Sequence, residues 1–520
     1  MNLTRCMLTA LFVLGSPLAL GSVSAQCLQQ KLKVPGEYLG NPYGKTLALE
    51  GDTLVLGAPE HREGFGQPKT GAAFVFTRSG EAWVETACLL PSDGANEQHF
   101  GWSVALSGDR IVVGAPWDPL NTHQSFPPGA AYVFERTAAS WTQTAKLEGS
   151  GAPVNCMVGW SVAVDGDVIA VGGPLHDGPT GGGAGHIWVF EHALQGWSET
   201  ASLGVPWTSA LFGSALALEG RTLLAGAPND ATGRVIFVDG SSGSWVAVQE
   251  LQASTVQPSD HFGAALALDG DRLLVGAPLR DSTAPDAGAA YVFERSGGVW
   301  SETAELLAAG GATLDAFAHS VALEGGRALV GAPGGLSSSS AGSASLFELS
   351  GSLWSETHQF LAPDPDPYAK FGQVAELCGD DALLLRWLGG DLLVGSGSVY
   401  HWSLGGTGCP NLLGLQESIS LSAGGAQTMV LDAGTAHAGH VYFVLGSSAG
   451  TAPGVPVDGL VLPLAYDGPA GYMHFSLLHP NALPLVDTLG LLDAEGRALS
   501  RFELPPGVLS GLAGLELHHA

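Results

Sequence analysis

The sequence predicts an all-β protein: a seven-bladed β-propeller closed by an N-terminal strand and followed by a small β-sandwich. Three observations predict it. The phrase "VALSGDRIVVGAP", Val104 to Pro116, returns as "LALEGDTLVLGAP", "LALEGRTLLAGAP", "LALDGDRLLVGAP" and "VALEGGRALVGAP". Its units begin at Tyr43, Phe100, Val158, Phe212, Phe262, Phe317 and Phe371, spaced 50 to 58 residues apart, and four short strands at such a period are the mark of a propeller blade. Finally, 75 glycines and 31 prolines are spread through the 520 residues, as many short strands and turns require.

Residues 1–25 read as an export signal. Arg5 supplies the positive start, Met7 to Leu20 is mostly apolar, and Val23 and Ala25 are the small residues before a cut after Ala25. The apolar run is short for a membrane anchor, and no later segment has the ~18 unbroken apolar residues of a spanning helix. The mature protein is therefore expected to be secreted or held at the cell surface.

Residues 26–403 form the propeller. In each unit "RIVVGA" and "GAAYVF" are apolar on both faces, as expected for strands sandwiched between neighbouring sheets. The fourth strand alternates, Trp141, Gln143, Ala145 and Leu147 on one side and Thr142, Thr144 and Lys146 on the other, which suits an outer edge. The glycine of "GAP" permits close backbone approach, and its proline ends the strand. The seventh unit lacks a fourth strand, and "CLQQKLKVP", Cys27 to Pro35, has that pattern and no blade of its own. It is expected to complete blade seven and close the ring. Cys27 and Cys409 then fall on either side of the same turn, where export permits a disulfide; the alternative is two free thiols.

Residues 404–411 form a linker and residues 412–520 the expected β-sandwich, whose short apolar runs are separated by Gly, Pro and Asp. The formal charge of −29 argues against nucleic acid and anionic membrane as partners.

The repeated phrases resemble FG-GAP repeats, the units of the seven-bladed propeller in integrin α chains and in secreted bacterial proteins. The resemblance covers residues 27 to about 403, with "GAP" at 57–59, 114–116, 226–228, 276–278 and 331–333, and "GGP" at 172–174. It implies a face that meets partners. Calcium-binding members carry an aspartate-rich DxDxDG loop between the first two strands; here that loop has shrunk to turns such as "LSGDRI". One or two carboxylates cannot supply the six to eight oxygen ligands that calcium takes. No cofactor and no metal site is expected, and Asp52, Asp109, Asp167 and Asp271 read as members of tight hairpins.

The fourth-to-first links and second-to-third loops share one face and are the longer and more varied connections, the usual place for recognition. They present His61, Arg62, Trp117, Asp118, His176, Asp177, Asn229, Asp230, Arg280 and Asp281, and the links add Trp207, His261 and Tyr368. Aromatics with acids and amides suit binding of extracellular protein or glycan. Each Asp or Asn alone equally suits the capping of its own turn.

An enzyme is not expected. "GSSAG", Gly446 to Gly450, matches GxSxG, but a nucleophile elbow needs a helix next, and "TAPGVPVDG" opposes one. Asp364 and Asp366 lie between prolines in an extended link, and no HExxH occurs. The function expected is non-catalytic interaction or adhesion; the alternatives are a structural surface component and a propeller-fold hydrolase.

Overall fold

The computed structural model describes residues 27–32, 46–62, 68–80, 82–118, 128–137, 140–177, 182–334, 341–362, 370–386 and 397–404, together with seven short strands beyond residue 404. Among the described residues there is no helix. Seven four-stranded antiparallel sheets follow one another. The second blade shows the pattern: Ser103–Ser107, Arg110–Ala115, Ala130–Thr137 and Ser140–Leu147, hydrogen-bonded in that order from the centre outward. Each innermost strand packs on the innermost strand of the next blade, and Phe371–Cys378 of blade seven packs on Leu47–Glu50 of blade one, so the ring is closed.

Burial follows the expected chemistry. Ile111, Val112, Val113 and Ala115 are all buried, because both faces of the second strand meet a neighbouring blade. In the outer strand Thr142 and Thr144 are exposed while Leu147 is buried. Seven hydrophobic clusters fill the seven seams; Val55 and Val75 of blade one, for example, pack with Ile111, Val113 and Tyr132 of blade two.

The repeated Phe-Gly and Gly-Ala-Pro phrases meet across each seam. Phe100 pairs in parallel with Gly71 of the preceding blade, and Val158, Phe212, Phe262, Phe317 and Phe371 do likewise with Gly129, Gly185, Gly233, Gly288 and Gly342. A Cβ on Gly114 would collide with the carbonyl of Gly159, the glycine that follows Val158 in the next blade. Gly57, Gly172, Gly226, Gly276 and Gly331 meet the next blade in the same way. The phrase thus recurs because each seam needs it.

The opposite face is tied by the hairpins. The last residue of an inner strand accepts the amide of the next blade's turn glycine: Glu50 from Gly108 at 2.6 Å, Asp165 from Gly220 at 2.5 Å, Glu219 from Gly270 at 2.7 Å and Asp269 from Gly325 at 2.8 Å. Cys378 does the same for Gly51 across the closing seam. The neighbouring Asp109, Asp167 and Asp271 engage Arg136, Arg110 and Arg295 at 2.6 to 2.7 Å.

Cys27–Leu32 completes blade seven by pairing antiparallel with Ser398–Ser403, as the sequence predicts. It copies the outer strand of blade four in detail. Both strands carry a bulge at the same place, and Gln30 and Gln249 both grip the backbone of the tryptophan in the next blade, Trp83 and Trp300. Gln30→Ala is expected to cost about 1–2 kcal/mol, because it leaves Trp83 N–H and C=O unpaired. Urea denaturation beside Gln29→Ala, expected to be neutral, checks this.

The short strands beyond residue 404 include Gly425–Asp432 paired antiparallel with Arg497–Leu504. The signal segment, the linker at 405–411, Cys409 and Tyr368 lie outside the described residues, so the Cys27–Cys409 bridge does too.

Candidate functional site

The long-loop face gathers the residues singled out by sequence, but it turns several of them inward. Asp118 is 2% exposed: its carboxylate accepts from Lys146 Nζ at 3.0 Å and from the Tyr132 hydroxyl. Asp93, from the link entering the same blade, accepts from the same lysine at 2.6 Å. Desolvation opposes the charges here, yet the hydrogen bonds and attraction between Lys146 and the acids raise the lysine and lower Asp93. This network anchors the loop. His61 is also buried, edge-on to Phe74 at 5.2 Å. Both therefore belong to the loop scaffold and not to its solvent surface.

The other acids cap their turns. Asp177 accepts the amides of Gly182 and Gly183 at 2.9 and 3.0 Å, and Asp281 accepts that of Asp286 at 2.9 Å. Asp230 is paired with Arg234, whose guanidinium stacks on Trp207 at 4.7 Å. Arg280 donates to the Asp281 carbonyl at 2.5 Å and faces Asp260 at 3.5 Å. His176 stacks on His186 at 4.5 Å, and burial lowers the pKa of both, His186 to about 4. His261 is half-buried and its pKa is likewise lowered by desolvation. Arg62 is half-buried, while Asn229 is exposed.

The aromatic centre of the face combines Trp117 with two residues that the sequence reading passed over. Inner strands start on this face, so the residue after each Phe-Gly pair or its equivalent stands at the rim of the central channel. From blade two to blade seven these are Trp102, Trp160, Ser214, Ala264, His319 and Gln373. Trp102 and Trp160, from adjacent blades, lie 4.8 Å apart between ring centres, and Trp117 approaches them at 4.7 and 6.2 Å. His99 packs on Trp117 at 4.7 Å. All three tryptophans are half-buried. Elsewhere tryptophans are covered by the chain's own arginines, as Trp83 is by Arg78, Trp141 by Arg136 and Trp300 by Arg295. Among the described residues no Lys or Arg stands over Trp117 or Trp160.

Across the ring, His319 of blade six and Gln373 of blade seven are hydrogen-bonded at 2.6 Å. The surrounding protein, and then the charge of Lys370, lower the His319 pKa. The signal for this rim was present in the sequence as the varying letter after a pair that is Phe-Gly in four of these six blades, Val-Gly at 158–159 and Phe-Ala at 317–318.

Four segments, residues 83–134, 141–190, 245–293 and 300–347, match the family described as FG-GAP repeat. Each begins in the outer strand of one blade, or one residue before it at 245, and ends in the third strand of the next. This stagger is the reason a strand from the N-terminus completes the last blade. No curated protein matches the chain. Among the described residues no helix is long and apolar enough to cross a membrane.

Proposed function

We propose that this chain, an FG-GAP repeat protein built as a seven-bladed propeller, is a non-catalytic recognition protein of the cell exterior whose long-loop face binds protein or glycan. The observation that carries the reading is the half-buried cluster of Trp102, Trp117 and Trp160 at the channel rim. Large, rigid aromatic surface that stays accessible to solvent is the usual centre of a recognition patch. The scaffold supports it: seven tightly packed seams hold the rim in place, and binding residues on such a frame lose little freedom when a partner arrives. The N-terminal segment provides export, and recognition needs no metal.

The test is capture from cell-surface extracts and a glycan array with the mature protein. Trp117→Ala with Trp160→Ala is expected to weaken capture at least tenfold, because interface tryptophans typically contribute 2 kcal/mol or more, about a thirtyfold effect. Arg280→Ala, whose side chain is held by Asp281 and Asp260, should leave capture unchanged, as should a chelator. Binding that survives the double change, or no binding at all, rules out this face as the recognition surface. Loss with chelator alone assigns recognition to a metal.

A further inference from the structure

We propose that the channel rim is a binding site for a neutral sugar, its ring stacked on the wall formed by Trp117 and Trp160 and its hydroxyls held by Gln373 and His319 on the far side. The inference deepens the recognition reading above and rests on it. A sugar ring presents apolar C–H faces and an equatorial belt of hydroxyls. It is best held by an aromatic wall on one side and neutral hydrogen-bonding groups on the other. The rim has that asymmetry. Its tryptophans come from blades two and three, its imidazole and amide from blades six and seven, and these pairs stand on opposite sides of a ring of seven. Between them blades four and five contribute only Ser214 and Ala264, so that arc is left open. The Ser214 hydroxyl is buried and has no hydrogen-bond partner among the described residues.

The polar side is set up to give and to take a hydrogen bond. The Gln373 amide N–H donates to His319 Nε2, which places the imidazole proton on Nδ1. Among the described residues the Gln373 Oε1 and the His319 Nδ1–H have no other partner, so the pair offers one acceptor and one donor to a ligand. His319 is exposed and Gln373 half-buried.

Charge selects against sugar acids. The chain carries −29, which repels uronates and sulfated or sialylated glycans. The carboxylates of the inner strands Glu50, Asp165, Glu219 and Asp269 lie at the opposite face, bound to turn amides. Near the tryptophans Glu60 is engaged by Lys69 at 3.0 Å and by His99 at 3.5 Å.

The experiment titrates the mature protein with neutral gluco-, manno- and galacto-oligosaccharides and with galacturonate oligomers of equal length, following tryptophan emission and heat. The expected result is saturable binding of at least one neutral series, with a change in emission and none with the galacturonates. Trp160→Ala and Gln373→Ala should each weaken it at least fivefold while circular dichroism stays unchanged, and Trp160→Phe should restore part of it. Equal binding of galacturonates, or neutral-sugar binding indifferent to Trp160 and Gln373, would overturn the proposal. If no sugar binds but a surface protein is captured in a Trp117-dependent way, the sugar inference fails and the recognition reading stands. If neither binds, both fail.

Discussion

Gly114→Ala is expected to destabilise the propeller by about 3 kcal/mol, the upper end of the usual cost of overpacking a tight core. The reason is local and repeated. Gly114 does not have positive φ, so alanine's backbone preferences are not offended there. Its missing Cβ leaves room for the carbonyl of Gly159 in the next blade, and an added methyl would fall well inside van der Waals contact with that backbone oxygen. Backbone cannot rotate aside as a side-chain tip can, so the seam itself must open. Opening it separates Val112 and Val133 of blade two from Val158 and Trp188 of blade three. Gly80→Ala isolates the other way in which glycine matters. Gly80 has φ of 63° with nothing within 4 Å of an added Cβ, so only the strain of a left-handed alanine remains, about 1–2 kcal/mol. Urea denaturation of both variants ranks the effects. If Gly114→Ala costs no more than Gly80→Ala, the close approach is not what keeps glycine in the repeated phrase.

That phrase explains which parts of the molecule were legible in the sequence. Blade number, strand order and closure by Cys27–Leu32 could be read because each blade must meet an almost identical neighbour, and the same letters recur wherever the same contact recurs. The close approach at "GAP" was also readable from glycine alone. Its partner was not, because the carbonyl that fills the gap belongs to the next unit, Gly159 for Gly114. The candidate site was read less well. Residue type marked His61 and Asp118 as exposed loop groups, but a polar side chain on a loop can fold inward when a partner waits there. Lys146 and Tyr132 supply that partner for Asp118. Trp117 was singled out, while Trp102 and Trp160 were hidden in a phrase read as purely structural. Only the ring brings one letter from each repeat onto a common rim, so a feature made of single residues 58 positions apart has no local pattern.

Glu376→Ala is expected to stabilise the protein, and more so at high pH. Six inner strands place alanine at one register: Ala48, Ala105, Ala163, Ala217, Ala267 and Ala322 pair with Val55, Val112, Ala170, Leu224, Leu274 and Leu329. Blade seven has Glu376 there, paired with Leu383. Its carboxyl stands at the closing seam, where Leu383 packs with Leu47, Leu54 and Leu56 of blade one. Among the described residues it has no hydrogen-bond or ion-pair partner. The charged residues at the ends of the packed strands are Glu50, Glu324, Arg327, Asp381 and Arg386. Desolvation alone pushes its pKa from 4.5 to about 8. An unfolded chain releases this proton near pH 4.5 and the folded chain only near pH 8, so between these values the folded state holds the extra proton and stability falls as pH rises. The penalty is absent below the lower value and complete above the upper one. At about 1.4 kcal/mol per pH unit the full span approaches 5 kcal/mol. Glu376 as a residue is half-buried, and solvent reaching it reduces the expected gain to roughly 2–3 kcal/mol at pH 9. At pH 5 Glu376→Ala should gain under 1 kcal/mol, because only the first half unit of the window between the two pKa values has then been crossed. The remaining acids shift stability with pH in both proteins alike, so the difference between wild type and variant isolates this carboxyl. Thermal and urea unfolding of the pair at pH 5 and pH 9 provides the measurement; an equal gain at both would mean that Glu376 acts through its volume and not its charge.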